Sequence, residues 1–197
     1  MQTMQKIARD SLLSLEDYAK QRGEFRARVM AHKKDRTVHL GEHVTLIFED
    51  ELTMRYQVQE MLRIERTFEE QGIQDELDAY NPLIPDGRNL KATMMIEYAD
   101  ADERKSALAQ LKGVEERTWL QVEGCARAFA IADEDLEREN EEKTSAVHFL
   151  RFDLSEEMAQ ALKRGAVLAL GVDHANYRAE IGAVAAATRA SLAQDLY

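Results

Sequence analysis

MIEYADADERKSALAQLKG (95–113), followed by EERTWLQV (115–122), resembles FLRFDLSEEMAQALKRG (149–165), followed by AVLALGV (166–172). Each copy runs from a β-rich segment through a cap, Asp100 or Ser155, into a helix that closes on Lys-Gly or Lys-Arg-Gly, then into a second β-rich segment. A strand–helix–strand unit used twice predicts an α+β fold. Two βαβ-like repeats share a mixed sheet of ferredoxin-like or related type, with helices packed on it. AVLALGV is apolar on both faces, as a central strand requires, whereas TWLQV alternates and predicts one exposed face. CARAFAI (125–131) adds a strand between the copies, ahead of the acidic run ADEDLERENEEK (132–143).

Upstream, Ser14-Leu15-Glu16-Asp17 reads as a capping box opening a helix to about Lys34, with Leu15, Tyr18, Phe25 and Val29 as its apolar stripe. TVHL and HVTLIFE flank Gly41 as a hairpin (37–49). Val38, Val44, Leu46 and Phe48 share a face only across an odd loop, such as Leu40-Gly41-Glu42, a register that sets His39 opposite His43. A helix from Leu52 to Gln71 follows, ended by Gly72, with Met54, Val58, Met61, Leu62 and Phe68 as its buried side. A short helix from Ile73 to Tyr80 comes next, then the loop YNPLIPDG (80–87), which holds both prolines. Asn176 to Gln194 reads as a last helix; seven alanines between 179 and 193 let it pack closely on the sheet or against a second copy as a homodimer contact. The chain thus divides into a helical region with a hairpin (1–88) and a sheet domain (89–197), forming one compact body.

Composition excludes several classes. With 197 residues, 45% hydrophobic, nine Gly and two Pro, the chain is neither disordered nor fibrous. No apolar run approaches the ~20 residues that span a bilayer, and MQTMQKIARDSLLS is too polar for a secretory segment. One cysteine makes no intramolecular disulfide, so a cytoplasmic location is expected. The net charge of −11 is uneven: residues 1–36 carry a local +4 and the remainder −15. Such an acidic body repels a phosphate backbone, so nucleic acid is not an expected partner.

No phosphate loop, nucleophile elbow, CxxC or HExxH is present, and one cysteine cannot hold an iron–sulfur cluster. The 52–71 helix has Glu60-x-x-Arg63 where di-iron bundles use Glu-x-x-His. No cofactor is expected from motifs; a divalent metal is the one that the histidines admit. His39 and His43, with Glu42, could hold a transition metal, or line a solvated hairpin face. His148 alternates with Ala146, Leu150 and Phe152 on an apolar strand face, where a hydrogen-bonded core histidine is the default. Asp173-His174 follows directly on AVLALGV, at a strand end where α/β proteins often bind ligands, and Tyr177 adds a phenol nearby. Helix capping by Asp173 or Asn176 explains the same residues. Cys125 has no sequence neighbour that lowers its pKa and reads as a small buried residue.

SLEDYAKQRGEFRARVMAHKK (14–34), VHLGEHVTLIFED (38–50), the stretch from YQVQEML to NPLIPDG (56–87), TSAVHFLRF (144–152) and GVDHANYRAE (171–180) resemble, nearly end to end, an uncharacterised bacterial family of about this length, known only as a domain of unknown function. Its members are often encoded beside rubrerythrin-like proteins and iron–sulfur oxidoreductase subunits, which implies by association a role in redox or peroxide defence. Two functional readings follow. In the first, this is an accessory protein that works with an iron–sulfur oxidoreductase or rubrerythrin-like partner. In the second, it is an enzyme or metal-binding protein whose site gathers His148, Arg151, Asp173, His174 and Tyr177, joined by Glu60, Arg63 and Glu65.

Overall fold

The computed structural model describes residues 6–135 and 138–197; the N-terminal pentapeptide of the leader reading, and Leu136 and Glu137 of the acidic run, lie outside the described residues. The fold is α+β. Helices α1 (Leu15–Lys34), α2 (Glu51–Glu65) and α3 (Glu70–Tyr80) surround the hairpin β1 (Thr37–Leu40) and β2 (Val44–Glu49) in sequence. Then come β3 (Asn89–Ile96), α4 (Ala101–Gln110), β4 (Thr118–Val122), β5 (Ala128–Phe129), β6 (Ile131–Ala132), β7 (Val147–Asp153), α5 (Glu156–Lys163), β8 (Leu168–His174), β9 (Tyr177–Ile181) and α6 (Ala186–Ala193).

The expected mixed sheet is instead two antiparallel sheets, ordered β1-β2-β3-β7-β6 and β5-β4-β8-β9. The strand–helix–strand order does occur twice, but each unit sends its first strand to one sheet and its second to the other. β3 pairs antiparallel with β7, and β4 with β8. These are therefore not βαβ crossovers, which join parallel strands of one sheet. The segment 128–132 turns the corner between the sheets: β5 pairs with β4, β6 pairs with β7, and the Ala130 amide donates to the Thr118 carbonyl. At the opposite side the Tyr177 hydroxyl donates to the Leu40 carbonyl and accepts from the His43 amide. One core fills the space between, drawing Leu40, Leu46, Phe48, Leu90 and Phe152 from the first sheet and Leu120, Leu168 and Leu170 from the second, all fully buried. Burial of each such side chain contributes roughly 1.5–3 kcal/mol.

The hairpin loop is odd, and Val38, Val44, Leu46 and Phe48 are all buried together. The pairing is shifted by two residues, however: Leu40 faces Val44 across Gly41-Glu42-His43, so His39 stands opposite Thr45, not His43. Gly41 takes the left-handed φ of 72° that this turn needs. α2 stops at Glu65 rather than Gln71, because Arg66 adopts φ 53° and closes the helix with bonds to Leu62 and Arg63. Gly72 lies inside α3, and Phe68, expected to be buried, is 75% exposed in the connection. Leu12, Met54, Val58, Leu62, Ile73 and Leu77 form a second apolar cluster among the helices. The last helix is shorter than expected: Tyr177–Ile181 pairs with β8 as a strand, and only Ala186–Ala193 is helical. Among the described residues no helix is long and apolar enough to cross a membrane.

β4 is buried on both faces, against the expectation from its alternation. Its outward Trp119 is 1% exposed, because it lies over Gly171 of β8 while the Arg127 guanidinium covers it 3.7 Å from the ring centroid. A Cβ at Gly171 would stand 2.4 Å from Trp119 Cζ2 and 2.9 Å from the Ala179 carbonyl oxygen. Gly171→Ala must therefore displace the indole, with an expected loss of about 1–3 kcal/mol. Trp119 is the chain's one tryptophan, so the variant should show red-shifted intrinsic fluorescence and a lower denaturation midpoint. An unshifted spectrum at wild-type stability would refute this packing.

Candidate metal centre

Period-two alternation along β7 turns His148 inward beside Met94 and Leu150, and its side chain is completely buried. Asp133 follows directly on β6. Its amide donates to the Phe149 carbonyl, and its carboxylate Oδ1 accepts from the Phe149 amide at 2.9 Å. The side chain thus takes the place of a main-chain acceptor where the ladder ends, and holds Asp133 at a φ of 51° that Asp tolerates better than most residues. Its other oxygen, Oδ2, meets His148 Nδ1 at 2.5 Å. Glu115 comes from the short 3₁₀ turn Glu115–Arg117 ahead of β4, and its Oε2 stands 3.8 Å from His148 Nε2.

The imidazole is saturated with acceptors. Nδ1 faces the Asp133 carboxylate and Nε2 the Ser145 carbonyl at 3.0 Å, acceptors that favour the charged form of the ring; the Thr144 hydroxyl lies 2.9 Å from Nε2. Burial opposes that charge, but the hydrogen bond and charge of Asp133, with the charge of Glu115, outweigh it and raise the His148 pKa above its ordinary value. Burial pushes the Glu115 carboxyl up in turn. Its Oε2 is buried without a hydrogen bond, an open acceptor beside a buried ring. Glu115, Asp133 and His148 each offer a ligand atom within 4.8 Å of the others, the one such group of three among the described residues. A cavity of about 350 Å³ opens on the two carboxylates, with Glu116, Arg138 and Glu139 at its walls.

His148 lies on the buried face of β7, where its alternation with Leu150 and Phe152 predicts it; the other candidate residues do not join it. Arg151 points to the opposite face of β7, clamped between Glu134 and Asp153. Asp173 and His174 are the last residues of β8, paired with Arg178 and Tyr177 of β9. Asp173 faces Arg117 at 3.6 Å and Arg178 at 3.4 Å. His174 is fully used by the backbone: Nδ1 accepts from the Asn176 amide and Nε2 donates to the Lys112 carbonyl. Tyr177 links the two sheets through the Leu40 carbonyl instead of meeting either. His39 donates from Nδ1 to the Thr45 hydroxyl, while His43 bonds the Glu97 carbonyl and stacks on Tyr98 at 3.8 Å, so the pair does not form a chelate. Glu60 and Arg63 belong to a separate network in the helical layer, and Glu65 is exposed. Cys125 is half-buried in the turn after β4. Glu115 and Asp133 were missed: each is one acid among 37, and only the chain's return to β7 brings them together.

With this geometry in hand, the family described as "Protein of unknown function (DUF3501)" matches residues 6–196. The chain belongs to the DUF3501 family. A crystal structure of a novel protein of unknown function from Burkholderia pseudomallei is 55% identical, with a TM-score of 0.94, covering 98% of this chain and 100% of that one. No curated protein matches this DUF3501 chain.

In the helical layer, Glu60 Oε1 accepts from the Tyr18 hydroxyl and from Arg22, and Oε2 accepts from Arg22 and Arg63. The Arg22 hydrogen bond leads in lowering its carboxyl to about 2, against burial. A depressed carboxyl stabilises the fold above its unfolded pKa and loses that contribution as pH falls toward the folded value. Wild-type stability should therefore drop between about pH 4.5 and 2. Glu60→Gln should flatten that slope and lower stability at pH 7 by about 2–3 kcal/mol, measured by urea melts across pH. Parallel wild-type and variant curves would sink the assignment.

Proposed function

We propose that this chain is a metal-binding protein that takes one divalent transition-metal ion at His148 Nε2 and Glu115, with Asp133 behind the ring on Nδ1. The observation that carries the reading is the open carboxylate oxygen of Glu115, held 3.8 Å from His148 Nε2 with the Ser145 carbonyl and Thr144 hydroxyl about 3 Å from the same nitrogen. Ligands bound at ~2.1 Å to one ion stand roughly 3–3.4 Å apart, so these donors need only small shifts to share a cation. Asp133 then acts as the carboxylate that orients the imidazole through Nδ1, the arrangement that fixes a ligating histidine elsewhere. On binding, the ion replaces the Nε2 proton, which leaves to solvent. One imidazole with several oxygen donors suits Zn, Mn or Fe(II).

A second reading, the accessory protein for an iron–sulfur or rubrerythrin-like redox partner, draws support from a different place. Ile64 and Phe68 are 61% and 75% exposed. Phe68 borders an apolar groove with Leu12, Leu13, Leu15 and Ile73, a surface of the kind that docks onto other proteins.

Metal analysis separates the two. Protein purified and then equilibrated with Zn, Mn or Fe(II) should retain one ion per chain. His148→Ala and Glu115→Gln should lose it at least tenfold, and His174→Ala and the His39/His43 double alanine variant should keep it. Metal-free wild type after equilibration with each ion would overturn the first reading and favour the second.

A further inference from the structure

We propose that Arg138 is a resident counter-cation that limits how tightly the Glu115–Asp133–His148 site takes a divalent ion. This inference rests on the metal reading above and names what regulates that site. The Arg138 side chain is 18% exposed and lines the same cavity as Glu115 and Asp133. Its guanidinium lies 4.6 Å from the centroid of the Phe149 ring, its Nε is 3.2 Å from Asp133 Oδ1, and its Nη2 bonds Asp135 at 2.6 Å.

The contact with Asp133 is one of charge rather than alignment. Arg138 Nε makes no hydrogen bond. The Asp133 carboxylate is positioned by other donors, the Phe149 amide on Oδ1 and His148 Nδ1 on Oδ2. Removing Arg138 therefore leaves the donors that hold the Asp133 carboxylate in place, while it takes away a positive charge together with the contacts to Phe149 and Asp135. In the metal-free protein that charge offsets two closely spaced buried carboxylates. Once a divalent ion sits beside Glu115, the Arg138 guanidinium becomes a like charge well inside the ~8 Å screening length.

Zn²⁺ titration by calorimetry of wild type, Arg138→Gln, Arg138→Lys and His148→Ala tests the idea. The expected result is about tenfold tighter binding by Arg138→Gln, ~1.4 kcal/mol, with Arg138→Lys within twofold of wild type because it keeps the charge. Loss of packing alone would weaken binding, so the direction of the change separates repulsion from disorder. Equal or weaker binding by Arg138→Gln, while wild type binds and His148→Ala does not, would overturn the counter-cation role and leave the site standing. If wild type and all variants alike fail to bind, the site itself is refuted, and the role of Arg138 with it.

Discussion

The guanidinium of Arg36 is 1% exposed, and the joining of helices to sheets depends on it. It follows the C-terminal end of α1. Its Nε donates to the Phe48 carbonyl and its Nη2 to the Glu49 carbonyl, both on β2, while its own carbonyl accepts from the Phe48 amide. The remaining donors reach the Ser191 carbonyl and hydroxyl and the Asp195 carboxylate, at the C-terminal end of α6. Asp50, the N-cap of α2, lies 3.5 Å away and also takes His32. A charge buried this deeply is tolerable only when its donors are matched, and removing one partner of such a pair typically costs about 3–5 kcal/mol. One side chain thus fixes the exit of α1, the entry of α2, the end of β2 and the last helix.

The candidate centre is a consequence of how the two sheets meet. The corner at 128–132 must leave the second sheet and join the first, and Asp133 is the first residue after it has done so. At that point the ladder runs out, and a side-chain carboxylate takes over from the main chain by accepting from Phe149. The same carboxylate is then carried to the ring of His148, one residue earlier on β7 and facing the opposite way, into the core. Glu115 arrives from the turn that feeds β4, whose Thr118 carbonyl accepts from Ala130 at the corner. The corner therefore draws the three groups together. A chain with parallel crossovers would scatter them.

Much of this was readable from the residues in order, and the part that was not has a physical reason. Caps at Ser14, Asp100 and Ser155 start helices where their side chains accept from the first-turn amides. Alternation on β7 announced His148 as an inward residue. Periodicity, however, reports which face a strand buries and says nothing about which strand lies beside it. The antiparallel pairing of β3 with β7 and of β4 with β8 was therefore invisible, and with it the distance from Asp173 to His148. The stretch after His174 shows the opposite failure. Its alanines and apolar spacing favour a helix, yet Tyr177, Ala179 and Ile181 also alternate, and the exposed edge of β8 decided between the two readings in favour of a strand. Arg66, a non-glycine residue at positive φ, likewise ended α2 six residues before the glycine that looks like a stop.

Buried carboxylates occur in both parts of the molecule, and saturation distinguishes them. Glu60 receives hydrogen bonds from Tyr18, Arg22 and Arg63 on its two oxygens and stays ionised to strongly acidic pH. Nothing remains on it for a ligand, so its role is to hold α1 against α2. Glu115 has the opposite character: burial raises its carboxyl, one oxygen is unpartnered, and the group facing that oxygen is the His148 imidazole. An unsaturated acceptor in a closed site is costly unless something offsets it. In the protein alone the guanidinium of Arg138 and the raised pKa of His148 act in the direction of that offset. That incompleteness is the ground of the proposed metal site, and among the described residues Glu60 in the helical layer lacks it.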